Sequence, residues 1–140
     1  MKTIRVLLAD DRPEVLESVR QLICKNFEVV GTVEDGQQAV EAACRLDPDI
    51  VVIDISMPTM NGLETASFLH TSGNRALIVF LTIHEDSDYI AKAFSVGARG
   101  YVSKRHIATD LIPALEEVLQ GHTFLSPSLS FPPCALRRSI

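Results

Sequence analysis

Short runs of aliphatic and β-branched residues alternate along the chain with longer stretches whose apolar residues recur every three or four positions. The short runs predict five strands, at residues 4–9, 27–33, 50–54, 76–82 and 100–103. Val6-Leu7-Leu8, Ile50-Val51-Val52-Ile53 and Leu77-Ile78-Val79-Phe80-Leu81 are nearly continuous apolar runs, not alternating ones. Such a run marks a strand covered on both faces, so these three belong at the centre of a sheet.

The longer stretches predict helices between the strands. The first begins at Pro13 and Glu14, residues suited to a first turn, and gathers Val15, Leu16, Val19, Leu22 and Ile23 into one stripe. The second covers residues 36–46 with Ala39, Val40 and Ala43 inward, and Pro48 bars its continuation. The third starts near Asn61 and carries Leu63, Ala66 and Leu69. The fourth is capped among Glu85, Asp86 and Ser87, presents Ile90, Ala93 and Phe94, and stops at Gly97. The fifth covers residues 109–120 with Leu111, Leu115, Val118 and Leu119 available for burial. Pro113 lacks a backbone donor there and predicts a late or kinked start.

Strands and helices in alternation predict an α/β fold. Right-handed crossovers then make a five-stranded doubly wound parallel sheet, for which the common order is 2-1-3-4-5. Ligands of such sheets bind beyond the carboxyl ends of the strands where the order reverses, here between the first and third strands.

Composition narrows the function classes. A chain of 140 residues suits one domain, and 46% hydrophobic with 22% charged residues suits a soluble core, not a disordered or fibrous chain. No apolar run approaches the roughly 18 residues that span a bilayer, and the N-terminus lacks a signal-peptide pattern. A cytoplasmic protein without a membrane partner is expected. Cys24, Cys44 and Cys134 have no metal-ligand spacing and fit thiols of a reducing compartment. The net charge of -5 opposes direct contact with nucleic acid.

The predicted switch point is acidic. Asp10 and Asp11 close the first strand and Asp54 closes the third, so the topology gathers three carboxylates on one rim. One aspartate after a strand is ordinarily a cap or turn former. Three together repel unless a cation neutralises them, and an all-oxygen site with few protein ligands suits Mg²⁺. Thr82 ends the fourth strand and Lys104 follows the fifth, adding a hydroxyl and an ammonium. A carboxylate nucleophile, a divalent cation and two groups for phosphoryl oxygens are the parts needed for phosphoryl transfer to an aspartate.

Asp10-Asp11, Asp54 followed by Met57-Pro58 and Gly62, Thr82 and Lys104 together resemble the signature of the receiver domains of two-component response regulators, over residues 3 to about 126. The run of residues 4–11, Asn61-Gly62-Leu63-Glu64 and Gly97-Ala98-Arg99-Gly100-Tyr101 are similar to the subfamily that usually carries a LuxR-type helix-turn-helix output domain. The resemblance implies a flavodoxin-like receiver fold over residues 1–125 and phosphorylation of Asp54 by a sensor histidine kinase. It implies Mg²⁺ held by Asp10, Asp11, Asp54 and the backbone carbonyl of Ser56, with the phosphoryl group bound by Thr82 and Lys104. Such a chain is a phosphoacceptor switch with only self-phosphorylation and autodephosphorylation activity, not an enzyme, and its downstream output is transcription. Thr82 and Tyr101 become the switch pair, and Ser56 and His84, two residues past Asp54 and Thr82, tune the rate of dephosphorylation. The face from the fourth helix through the fifth strand to the fifth helix would carry the signal, with Ile107, Ile112 and Tyr101 as apolar contacts. A homodimer dependent on phosphorylation is one expected partner state.

Two departures stand out. Many receivers have proline after the lysine, often with a cis bond, and here Arg105 follows Lys104. Residues 126–140 are rich in serine and proline and read as a tail or truncated linker, so DNA would be reached only through an output domain of a longer protein. Other functions fit less well. A phosphatase of the haloacid dehalogenase type needs two aspartates separated by one residue on the first strand, and Asp10 and Asp11 are adjacent. A flavodoxin-like cofactor binder needs a glycine- and hydroxyl-rich phosphate loop where this chain has Asp10-Asp11-Arg12-Pro13. The intact acid set speaks against an interaction module that cannot be phosphorylated.

Overall fold

The computed structural model describes residues 3–129. The elements alternate as β1 (Arg5–Ala9), α1 (Pro13–Ile23), β2 (Glu28–Val33), α2 (Gly36–Leu46), β3 (Ile50–Ile53), α3 (Gly62–Thr71), β4 (Leu77–Thr82), α4 (Ser87–Ser95) and β5 (Gly100–Ser103). A short 3-10 turn over Lys104–His106 leads into α5 (Ile107–Leu119), and β6 (Phe124–Leu125) follows. The sheet order is β2-β1-β3-β4-β5-β6 with every pairing parallel. The expected α/β order of five strands is present, and one short strand is added at its edge.

Side chains alternate across the sheet, so the continuous runs feed two cores. Val6, Leu8, Ile50, Val52, Val79, Leu81 and Val102 face α1 and α5, where Leu16, Val19, Ile23, Leu111, Leu115 and Val118 meet them. Leu7, Ala9, Val51, Ile53, Ile78 and Phe80 face the other way, toward Ala39, Ala42 and Ala43 of α2, Ala66 and Leu69 of α3, and Ile90 and Ala93 of α4. All four residues of β3 are buried, as a centre strand requires. None of the described helices is long and apolar enough to cross a membrane.

The register of the centre strands positions the rim. Val6, Leu7, Leu8 and Ala9 pair with Ile50, Val51, Val52 and Ile53, so Asp10 and Asp54 leave the sheet side by side. Thr82 pairs with Ser103, which sets Lys104 one residue beyond Thr82 on the neighbouring strand. The start of α3 closes tightly over the end of β3. Asn61 and Glu64 form a reciprocal capping box, and a Cβ on Gly62 would stand 2.1 Å from the carbonyl oxygen of Asp54. Only glycine permits that approach.

Three details depart from the sequence reading. Helix α5 starts at Ile107, two residues before the expected Thr109, and runs through Pro113. The preceding 3-10 turn gives the helix its first turn, Pro113 lies exposed, and burial of Leu111, Ala114, Leu115 and Val118 outweighs one missing hydrogen bond. Strand β6 was not expected, because two residues carry no periodicity. Its ladder continues through Ser126, whose N–H donates to the Tyr101 carbonyl at 3.0 Å, and Leu129 packs against the core, so residues 126–129 of the expected tail lie on the domain. Cys134 and the rest of that stretch lie outside the described residues.

Candidate functional site

Asp10, Asp11 and Asp54 each bring a carboxylate oxygen within 4.8 Å of the others. Asp10 and Asp54 are buried, and Asp11 is exposed at the mouth. Lys104 reaches in from the end of β5, its Nζ 2.7 Å from Asp10 Oδ2 and 3.1 Å from Asp54 Oδ2. The other oxygen of Asp10 accepts the Arg12 N–H at 2.9 Å. Asp54 Oδ1 is different. It is buried and has no hydrogen-bond partner among the described residues.

A buried carboxylate oxygen without a partner costs stability unless something positive meets it. One ammonium faces three carboxylates, so the cluster retains excess negative charge even after Lys104 is counted. Burial raises the Asp10 pKa above the usual carboxylate value, and the Lys104 hydrogen bond opposes that rise without cancelling it. The donor set is all oxygen and open on the Asp11 side, which fits a hard divalent cation. The three acids therefore form a pocket able to hold a metal.

Thr82 is fully buried, and its Oγ1 accepts the His84 N–H at 3.2 Å. Tyr101 is buried as well, packed against Phe80, and its hydroxyl donates to the His84 carbonyl at 2.7 Å. Burial pushes the tyrosine pKa upward, so it stays a donor. Thr82 and Tyr101 thus hold the same residue of the β4–α4 loop from its two backbone ends. Tyr101 cannot supply the surface contact expected of it, because its ring fills the space below α4. Ile107 and Ile112 are only partly exposed and pack on the core.

Ser56 and His84 meet across the mouth, with Ser56 Oγ 2.7 Å from His84 Nε2. The imidazole stacks on Tyr89 at a ring separation of 4.2 Å. Sequence reasoning did not single out Tyr89, and its spacing from His84 gave no signal. It also missed Ser103, which precedes Lys104. Ser103 donates its hydroxyl to Glu85 Oε2 at 2.8 Å, and Arg105 pairs with Glu85 Oε1 at 3.4 Å. No described peptide bond is cis, including the one after Lys104.

A divalent cation should raise the thermal midpoint of the protein, since a ligand confined to the folded state stabilises it by about 2.7 kcal/mol at a hundredfold excess over Kd. Asp11→Ala should remove most of that gain in melts run with and without chelator. An unchanged midpoint in the wild-type protein would contradict the pocket. The effect has a definite pH direction. The Asp10 pKa is raised on folding, so its contribution to stability is fully present below the ordinary value of 3.8 and is lost as pH rises through the raised value. Protonated Asp10 is a poor ligand, so cation stabilisation should fade as pH falls through the same window.

A sequence model described as "Response regulator receiver domain" matches residues 6–116. The chain is 36% identical over 127 residues to the nitrate/nitrite response regulator protein NarL of Escherichia coli strain K12, covering 89% of this chain and 59% of that protein. It is 33% identical over 129 residues to the transcriptional regulatory protein DegU of Brevibacillus brevis, covering 91% of this chain and 55% of that one. The chain thus spans little more than half the length of these curated relatives. Among solved structures, a two-component response regulator of the LuxR family from Aurantimonas matches with a TM-score of 0.87 at 35% identity, over 91% of this chain and 93% of that one. The isolated receiver domain of RcsB from Salmonella enterica, solved with the phosphomimetic BeF3-, matches with a TM-score of 0.85 at 26% identity, over 91% and 96%. With most of the chain matched in both sequence and fold, this protein belongs to the response regulator receiver domain family.

Proposed function

We propose that the chain accepts a phosphoryl group on Asp54 from the phosphohistidine of a sensor histidine kinase. The observation that carries this reading is Asp54 Oδ1, buried without a hydrogen-bond partner among the described residues while the other oxygen of the same carboxylate is held by Lys104. Receiver domains are phosphoacceptor switches, not turnover enzymes. In the transfer a carboxylate oxygen of Asp54 forms a bond to phosphorus as the phosphorus–nitrogen bond of the donor breaks, and the electron pair leaves with the imidazole. Lys104 then binds one phosphoryl oxygen as an ammonium, and Thr82 donates its hydroxyl to another. Asp10, Asp11, Asp54 and the backbone carbonyl of Ser56 would hold Mg²⁺, which neutralises charge on the transferring group. The chain catalyses only its own phosphorylation from small donors and its own dephosphorylation. It works in the cytoplasm as the input half of a transcription regulator, a reading supported by the names of its relatives. The packing of Ser126 and Leu129 supports a receiver unit that includes residues 126–129.

Asp54→Asn should abolish Mg²⁺-dependent incorporation from acetyl phosphate, by at least a hundredfold. Undiminished labelling of that variant would overturn the assignment.

When Thr82 turns toward the phosphoryl group, it releases the His84 N–H that it now holds. Tyr101 shares His84, so the β4–α4 loop and the face from α4 through β5 to α5 follow. That face then pairs with a second copy. Beryllofluoride with Mg²⁺ should shift the Tyr101 ring resonances and raise the sedimentation coefficient. Identical spectra and one monomer peak in both samples would refute the switch.

Ser56 and His84 flank the route of the water that hydrolyses the acyl phosphate, and their mutual hydrogen bond holds both side chains across it. His84→Ala and Ser56→Ala should each change the dephosphorylation rate severalfold while leaving the melting temperature near wild type. Unaltered decay in both would remove the tuning role.

A further inference from the structure

The backbone on each side of Lys104 is held by a serine side chain, from Ser126 on one side and from Ser103 on the other. On one side Ser103 N–H donates to Ser126 Oγ at 2.9 Å, and both serines are fully buried. In a continuing parallel ladder that N–H would find a carbonyl of the β6 chain. Here the chain turns at Pro127, and the Ser126 carbonyl instead accepts the Leu129 N–H at 2.9 Å. The serine hydroxyl takes the place of the lost carbonyl.

On the other side the turn after Lys104 is also held by Ser103, whose Oγ accepts the Arg105 N–H at 3.2 Å. The same hydroxyl donates to Glu85, which binds Arg105 from the β4–α4 loop. The sequence has arginine and not proline at position 105, so the ring that would stiffen this turn is absent, and hydrogen bonds through Ser103 fix it.

We propose that Ser126 and Glu85 are positioning residues for Lys104, acting through Ser103 to fix where its ammonium meets Asp54. The proposal rests on the phosphoacceptor reading given above. A lysine has a flexible four-carbon stem, so the place of its ammonium depends on how firmly its backbone is held. Small displacements at a reacting centre have large kinetic effects. Neither residue touches the acid cluster directly.

The test is the rate of phosphorylation by acetyl phosphate with Mg²⁺, measured on the full chain. Ser126→Ala and Glu85→Ala should each slow it roughly three- to tenfold. Glu85→Gln keeps an acceptor for Ser103 and should restore most of the rate, and Ser128→Ala, at an exposed neighbour, should change nothing. In a Lys104→Ala background the Ser126 and Glu85 substitutions should have no further effect. Should Ser126→Ala fold poorly in a thermal melt, Glu85→Ala carries the same comparison from a partly exposed side chain. Wild-type rates in both variants, or slowing that persists in full without Lys104, would overturn the proposal while leaving the phosphoacceptor reading intact. A wild-type protein that takes up no phosphoryl group would overturn both.

Discussion

The ammonium of Lys104 lies between Asp10 and Asp54, 2.7 and 3.1 Å from their oxygens, and the whole carboxyl-end rim is organised around that contact. Three carboxylates within 4.8 Å of one another repel strongly in a partly buried setting. Lys104 relieves part of that repulsion without satisfying every oxygen. Asp54 Oδ1 remains buried and unpartnered, and Asp10 is held above its ordinary pKa by burial. Such a site is poorly matched to its own charges and well matched to a cation and a phosphoryl group. Frustration of this kind marks a place where a fold gives up stability for chemistry.

The remainder of the structure keeps those charges in place. Two cores clamp the sheet from opposite faces, which fixes the β1–β3 register and with it the adjacency of Asp10 and Asp54. A slip by one residue would turn each carboxylate to the wrong face of the sheet. Gly62 lets α3 close over the carbonyl of Asp54, and the capping box of Asn61 and Glu64 ends the loop there. On the far side of the rim Thr82 and Tyr101 share His84, so the Thr82 hydroxyl and the buried ring both hold one loop residue.

Much of this was legible in the sequence, because the informative features were continuous or repeated. The apolar runs of β1, β3 and β4 could only be centre strands, and the five chemistry-bearing residues each fell at the end of a strand or just beyond it. The hidden parts are those without periodicity. Two residues suffice for β6 once β5 offers an open edge, and nothing in Phe124-Leu125 announces it. Pro113 predicted a disturbed start to α5, yet tertiary burial and the preceding 3-10 turn override local propensity. Tyr101, expected both as a switch residue and as a surface contact, is buried with its hydroxyl on a backbone acceptor inside the fold. The network joining Ser126, Ser103, Glu85 and Arg105 depends on contacts between residues 18 to 23 positions apart, which no local pattern encodes.

The central claim is that the acid cluster is a cation pocket whose buried, unpartnered Asp54 oxygen is the phosphoryl acceptor. Carbon-13 detection of the aspartate carboxyl groups during titration with Mg²⁺, followed by beryllofluoride, tests it most directly. The Asp10, Asp11 and Asp54 signals should move together when the cation is added, and Asp54 should show by far the largest second shift when beryllofluoride follows. An Asp54 signal that stays still in the second step, or one that moves no more than carboxylates elsewhere on the surface, would contradict the account.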